Sequence, residues 1–287
     1  MKRFLIFVLL ISVLMAVPAS AAEEGRVVIG ADLTEDQVLA VYQDLGLTEQ
    51  TLEQVKVLTM TNALERRYLE GLVPEEQLGT KSISCVLVAP GEGENSVSVR
   101  NTDWCTEAMY LSAMATAGIE NLSVQVTAPF TVSGTAAMAG IYMAYEDMTG
   151  QTLDEEGKRA GVIDLVTTGE LAQELGGHEA LTLVTELKLI LDETSQLDDE
   201  ELMRRIDELA GDYKIKLNDY QREKLAEMCR SLEKLDTDAL RDKVEGVKDT
   251  LEKMGEMKDK AVSFWDAVMA FFKAIGDFIA RIAEIFS

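Results

Sequence analysis

Six polar residues spread over the first half of the chain are the best candidates for chemistry: Asp32, Asn62, Glu65, Arg66, Ser133 and Thr135. Asp32 and Asn62 each follow a strand-like run, residues 26–29 and 55–60, and Ser133 follows a third, 123–127, a little further on. In open α/β sheets ligands gather beyond the carboxyl ends of the strands, so these side chains are expected to line one polar ligand-binding pocket. A plainer role for Asp32, Asn62 and Ser133 is to cap the helices that follow them. From Ala128 to Ala137 the chain runs out of a strand into a helix of small residues. Gly and hydroxyl groups at such a start can hold an anion or a carbonyl on free backbone N–H groups, or can simply let the helix lie close to a sheet.

Other chemistries find little support. The chain has one histidine, His178, in a Gly-Gly-His-Glu joint that suits a helix start. A single His cannot build a multi-histidine zinc site, and every Ser-His-Asp or Cys-His mechanism would have to use it. No HExxH, CxxC, GxSxG or P-loop pattern occurs. Gly79-Thr80-Lys81-Ser82 leads into a strand-like run where a phosphate loop would lead into a helix. The acidic runs Asp154-Glu155-Glu156 and Asp198-Asp199-Glu200-Glu201 lack the alternating ligand spacing of a calcium loop and read as helix starts, where acids meet the positive end of the dipole. Neither a metal nor a cofactor is expected, and no residue is assigned as catalytic. Three cysteines, Cys85, Cys105 and Cys229, cannot all pair within one chain. Cys85 with Cys105 is the pair to consider, against three buried thiols.

The elements that must position these residues follow from periodicity and punctuation. Strand-like 26–29 leads to a helix over 35–45 capped by Thr34; strand-like 55–60 leads to a helix over 63–70 after Asn62. Strand-like 82–88, a Pro90-Gly91-Glu92-Gly93 turn and 97–100 together predict a hairpin. A helix over 103–117 stops at Gly118, strand-like 123–127 follows, and a helix over 135–148 stops at Gly150. Strands alternating with helices predict an α/β domain, a mixed sheet with covering helices, over 22–177. After Gly176-Gly177 the chain has no proline and few glycines and reads as helix throughout. Leu225, Met228, Leu232 and Leu235 form one apolar stripe and Leu240, Val244, Val247, Leu251 and Met254 another, so an all-α bundle or hairpin is expected over 178–257.

Both ends carry addresses. Lys2 and Arg3, an apolar run from Phe4 to Val17 and Ala19-Ser20-Ala21 read as a signal peptide over 1–21, the run being short of the roughly 20 residues that span a bilayer. Cleavage would leave an extracellular or cell-envelope protein and take the net charge from −24 to −26. Such a surface repels nucleic acid and anionic lipid. Residues 258–287 predict an amphipathic C-terminal helix whose apolar face carries Phe264, Trp265, Phe271, Phe272 and Phe278. It is expected to pack on the chain's own helices or to serve as an interaction tail for a protein partner or a second copy. A membrane surface is less favoured, because acidic and basic residues balance along the segment.

The ordered series Gly30-Ala31-Asp32-Leu33, Thr61-Asn62 with Glu65-Arg66, Gly79-Thr80 with Ser82-Ile83-Ser84, Thr116-Ala117-Gly118 and Pro129 with Ser133-Gly134-Thr135-Ala136 resembles the YpuA-like secreted proteins of Gram-positive bacteria, a family of unknown function. The resemblance covers most of Val27 to Gly169. It implies a compartment and a fold unit and no mechanism. It also implies that Cys85 replaces a small hydroxyl residue, so that a disulfide through it would be peculiar to this chain. The expected function is a non-enzymatic binding or interaction module of the cell envelope. The alternatives are an extracellular hydrolase using carboxylates or hydroxyls of the α/β domain, and a membrane-surface protein attached by its tail.

Overall fold

The structure, a computed structural model, describes residues 25–248 and 250. The expected signal peptide and the expected C-terminal helix with its aromatic face lie outside the described residues, as do Leu251 and Met254. Two compact units divide the chain: residues up to Glu107 with Ile119–Asp154, and Ala108–Gly118 with Glu155 onward.

The first unit is built on a five-stranded mixed sheet, ordered β2-β1-β3-β5-β4. Strand β1 (Arg26–Gly30) is followed by helix α1 (Glu35–Asp44) and a short turn of helix α2 (Glu49–Leu52), then β2 (Lys56–Met60), α3 (Asn62–Leu69) and a short α4 (Glu75–Leu78). Next come β3 (Cys85–Pro90), β4 (Ser96–Val99), α5 (Glu107–Thr116), β5 (Leu122–Thr127) and α6 (Thr135–Thr149). The pairs β1–β2 and β4–β5 are parallel, and β3 runs antiparallel to both β1 and β5. Four carboxyl ends therefore share one edge of the sheet with the start of β3.

Thr34 caps α1 as expected, in a full capping box with Gln37. The cap of α3 is Thr61, with Asn62 already its first residue. The hairpin expected from 82–88 and 97–100 does not form, because β5 lies between β3 and β4. The connecting loop arches over the start of β5 instead. Gly91 N–H donates to the Asn121 carbonyl at 2.6 Å, Asn95 Nδ2 donates to the Ile119 carbonyl at 2.6 Å, and Asn95 Oδ1 accepts from Leu122 N–H at 2.9 Å.

Both faces of the sheet are covered, which is why Val27, Val28 and Ile29 are all buried. Val27, Ile29, Cys85 and Leu87 pack with Val41 of α1 and with Leu45, its C-cap. The other face meets α6, where Gly140 approaches so closely that a Cβ there would stand 3.2 Å from Val86 and 3.6 Å from Val28. Small residues in α6 thus serve close packing. Tyr142 of α6 meets Tyr68 of α3 edge-on, with ring centroids 6.1 Å apart.

The second unit is helical: α5 apart from its first residue, α7 (Glu155–Leu175), α8 (Gly177–Leu189), a short α9 (Leu191–Thr194), α10 (Asp199–Asp212), α11 (Asp219–Leu232) and a helix at 237–248. Its core joins Leu171, Leu183, Leu187, Ile206, Leu225, Met228, Leu232, Leu240 and Val244, so the first expected stripe faces inward, with Leu235 partly buried against it, and the second does so at Leu240 and Val244. Asp198 caps α10 in a box with Glu201, and the acidic run is a helix start as read. His178 is an exposed residue in the first turn of α8. The compositional change at Gly176-Gly177 marks the joint between α7 and α8, two helices of this unit, while the compact division falls at Asp154. Helix α5 goes with the helices too. It is buried on every side from Met109 to Thr116, so no apolar stripe reveals its neighbours.

Candidate functional site

At the carboxyl edge of the sheet the chain leaving β1 passes against the chain entering β3. A Cβ at Gly30 would lie 2.3 Å from the Ser82 carbonyl oxygen, so only glycine permits the approach. Asp32 N–H then donates to that carbonyl at 3.2 Å, and Ser82 N–H donates to Asp32 Oδ2 at 2.8 Å. The Ser82 hydroxyl donates to Glu65 Oε1 at 2.7 Å, and Asn62 Nδ2 donates to Glu65 Oε2 at 3.2 Å. Arg66 Nε donates to Asn62 Oδ1 at 3.3 Å, while its guanidinium reaches Glu70, both oxygens of Glu75 and the Gly79 carbonyl at 3.0 Å. The i, i+3 and i, i+4 spacing of Asn62, Glu65 and Arg66 puts all three on one side of α3.

Four of the six expected residues are thus joined in one hydrogen-bonded chain. Ser133 and Thr135 are not part of it. Their hydroxyls both donate to the Gln77 carbonyl, at 3.0 and 3.1 Å, and lie 3.3 Å from each other. Five of the six nevertheless bond one segment, 75–82, held at Glu75, Gly79 and Ser82 by Asp32, Glu65 and Arg66 and at Gln77 by Ser133 and Thr135, while Asn62 bridges Glu65 and Arg66. None of Asp32, Asn62 or Ser133 is the N-cap of the helix after it; those positions are Thr34, Thr61 and Gly134. Ser82, Gln77 and Gly79 were missed as parts of the site. The signal for Ser82 was present in the Gly79-Thr80 and Ser82-Ile83-Ser84 motif, but 82–84 reads as strand and the strand begins only at Cys85.

Glu65 is fully buried. Burial pushes its carboxyl above the ordinary value, the hydrogen bonds from Ser82 and Asn62 partly oppose this, and the nearby charge of Asp32 adds to it. Glu75 is held below the usual range by Arg66. Both oxygens of Glu65 have donors, so what this arrangement does chemically is fix a loop.

A second polar cluster lies inside the helical unit. Lys188 of α8 is buried and donates to Asp164 Oδ2 of α7 and, at 2.7 Å, to the Ser112 hydroxyl of α5. Asp164, itself wholly buried, also accepts from Ser112 at 3.2 Å, Thr116 at 2.7 Å and Thr168 at 3.2 Å. Burial pulls the Lys188 ammonium below the usual lysine range even with Asp164 beside it. Nothing in the sequence reading anticipated this pair. Its only signal is a lone Asp within Val162-Ile163-Asp164-Leu165-Val166 and a lone Lys within Leu187-Lys188-Leu189.

All three cysteines are buried, and none forms a disulfide with another. Burial pushes Cys85 up to about 11 and Cys229 up to about 12, which keeps both protonated at neutral pH. Among the described residues no three His, Cys, Asp or Glu side chains are grouped to hold a metal ion, and no helix is long and apolar enough to cross a membrane. Every buried side-chain nitrogen or oxygen among them has a hydrogen-bond partner.

Comparison with known proteins places these features in a lineage. A family model described as "Protein of unknown function (DUF1002)" matches residues 29–254, which include both polar clusters. The chain is 31% identical over 243 residues to "Uncharacterized protein YpuA" of Bacillus subtilis (strain 168), covering 83% of this chain and 82% of that protein. No solved structure matches.

Proposed function

The chain belongs to the DUF1002 family, and from that premise we propose that it is an exported, non-enzymatic interaction module of the cell envelope. In this reading the α/β unit presents the braced segment 75–82, and residues 258–287 form the amphipathic element that engages a protein partner or a second copy. What supports it is the way the polar motif residues are spent. Asp32, Asn62, Glu65, Arg66, Ser133 and Thr135 direct hydrogen bonds onto one another or onto segment 75–82, which leaves Thr80 and Lys81 exposed on a segment fixed from both sides. A rigid, presented loop is what recognition needs, because binding then orders less of the chain.

The test is light scattering together with vesicle flotation on residues 22–287, beside the same chain carrying Trp265→Asp and Phe271→Asp. The interaction reading expects self-association, or capture of a partner from envelope extract, that both substitutions abolish while circular dichroism stays unchanged. A monomer that captures nothing would end it. Flotation with anionic vesicles, lost in the substituted chain, would instead favour the membrane-surface alternative.

One observation favours the hydrolase reading. Glu65, with its raised carboxyl, and Asp32 meet on the same Ser82, two carboxyls converging on one hydroxyl-bearing residue. The full burial of Glu65 and the engagement of both its oxygens weigh against it.

A further inference from the structure

The sheet of the first unit has two edge strands, and the chain treats them differently. In the parallel pairing of β4 with β5, Arg100 N–H donates to the Val126 carbonyl, so Ser96 and Ser98 turn their backbone groups to β5 while Val97 and Val99 turn theirs outward. The chain blocks that edge itself, with Val99 N–H donating to Glu107 Oε1 at 3.2 Å. At the opposite edge, Lys56 N–H donates to the Gly25 carbonyl and the Met60 carbonyl accepts from Ala31 N–H. Lys56, Leu58 and Met60 therefore face β1, and Val57 and Thr59 face away from it. Among the described residues nothing bonds the outward N–H and C=O groups of Val57 and Thr59, and the Val57 side chain is 44% exposed.

Proteins that stay single guard such an edge with a proline, a bulge or a charge that points along it. Strand β2 has no proline and pairs with β1 residue for residue, from Arg26↔Lys56 to Gly30↔Met60. Its only charge, Lys56, is tied to Asp147 of α6 at 2.5 Å. We propose that this edge pairs, antiparallel, with the β2 edge of a second copy of the chain about a twofold axis at Leu58. That register sets Val57 opposite Thr59 of the second copy. Opposed residues whose groups face each other exchange both hydrogen bonds, so every open group at Val57 and Thr59 is used in both copies. An axis at Val57 or at Thr59 would instead bring Val55 or Thr61, outside the strand, against the other copy. With the axis at Leu58, half-buried on the side that Lys56 shares with α6, this leucine meets its own counterpart, an apolar cross-strand pair. Lys56 meets Met60 and not another lysine.

Charge singles out the same edge. The chain carries a net charge of −24, and two such surfaces repel each other. From Gln54 to Leu64 there is no acid, and Asp147 beside β2 is neutralised by Arg26 and Lys56. One edge supplies both halves of the contact, as a twofold interface requires. The contact is one short strand wide, at the small end of specific interfaces, so the dimer is reversible. It involves neither segment 75–82 nor residues 258–287.

Sedimentation velocity on residues 22–287, from micromolar to submillimolar concentration, is expected to show a monomer–dimer equilibrium. Thr59→Pro removes an outward donor and no bond to β1, and should weaken the dimer at least tenfold with circular dichroism unchanged. Leu58→Cys under mild oxidation should give a disulfide-linked dimer, since a non-hydrogen-bonded antiparallel pair brings its Cα atoms to about 4.5 Å. Val57→Cys, whose counterpart lies diagonally across, should cross-link at least tenfold more slowly. A chain that stays monomeric throughout overturns the inference, and so does a dimer in which Leu58→Cys cross-links no faster than Val57→Cys. A dimer that Thr59→Pro leaves intact, and that Trp265→Asp with Phe271→Asp abolishes, belongs to the tail and also overturns it. The two cysteine variants still read the register if Thr59→Pro fails to fold.

Discussion

Ser82 binds Glu65 through its hydroxyl at 2.7 Å while its own amide is held by Asp32, so one residue at the mouth of β3 ties the ends of two other strand connections together. The carboxyl of Glu65 is raised above its ordinary value of 4.5, mainly by burial. The folded protein thus holds this proton more tightly than the unfolded chain. The group's contribution to stability is complete below pH 4.5 and is lost as pH rises through the raised value. Glu65→Gln is neutral throughout and can still accept from Asn62 and donate to Ser82. It should flatten the loss of stability above pH 4.5 and leave the urea midpoint at pH 7 no lower than that of the unaltered protein. A lower midpoint with the same pH slope would show that the negative charge itself is needed.

Gly30→Ala should be among the most damaging small substitutions in the α/β unit. Its Cβ would stand 2.3 Å from a backbone oxygen that cannot retreat, because Ser82 is held by both Asp32 and Glu65. Overpacking of this kind costs about 1–3 kcal/mol and sometimes more. Gly211→Ala, in α10 with nothing within 4 Å of the new Cβ, is the control and should gain roughly 0.5–1 kcal/mol. Thermal unfolding of the two variants checks the sign of each; a harmless Gly30→Ala would mean that the strand connections can part.

Breaking the buried pair and replacing it should differ sharply. Lys188→Met alone or Asp164→Leu alone leaves one charge in a dry core and is expected to cost about 3–5 kcal/mol, whereas both together should be near neutral or stabilising. A double-mutant cycle from denaturant unfolding measures the difference. Additive losses would place water at the pair.

The thiols should be inert. With Cys85 near 11 and Cys229 near 12, the thiolate fraction at pH 8 is on the order of one in a thousand or less. Ellman's reagent is expected to leave the folded protein unlabelled over minutes and to report all three thiols in denaturant. Rapid reaction of the native protein would mean that one of these sites opens readily.

Local features were legible in the sequence, and partners were not. The caps at Thr34 and Asp198 and the stops at Gly118 and Gly150 depend on side chains or backbone angles within a few residues. Strand pairing is not local: 85–88 and 97–99 are strand as expected, yet β5 lies between them, and the loop that joins them is held by contacts of Gly91 and Asn95 with 119–122. The same division holds at the site. Asp32 and Asn62 could be found because each follows a strand. Ser82 was hidden inside a run that looks extended, and Asp164 and Lys188 lie on different helices with no spacing to relate them.

The insertion of α5 also sets a schedule for synthesis. The chain emerges N-terminus first, and domains generally fold as units in that order. All the strands of the α/β unit are available once Thr127 has been made, but Asp164 and Lys188, which bond Ser112 and Thr116 of α5, are made later. In that interval a helix carrying Met109, Tyr110, Leu111 and Met114, all destined for burial, lacks the partners it has in α7 and α8. The nascent α/β unit therefore carries a sticky handle that a chaperone can grip, and the handle disappears only when α7 and α8 arrive.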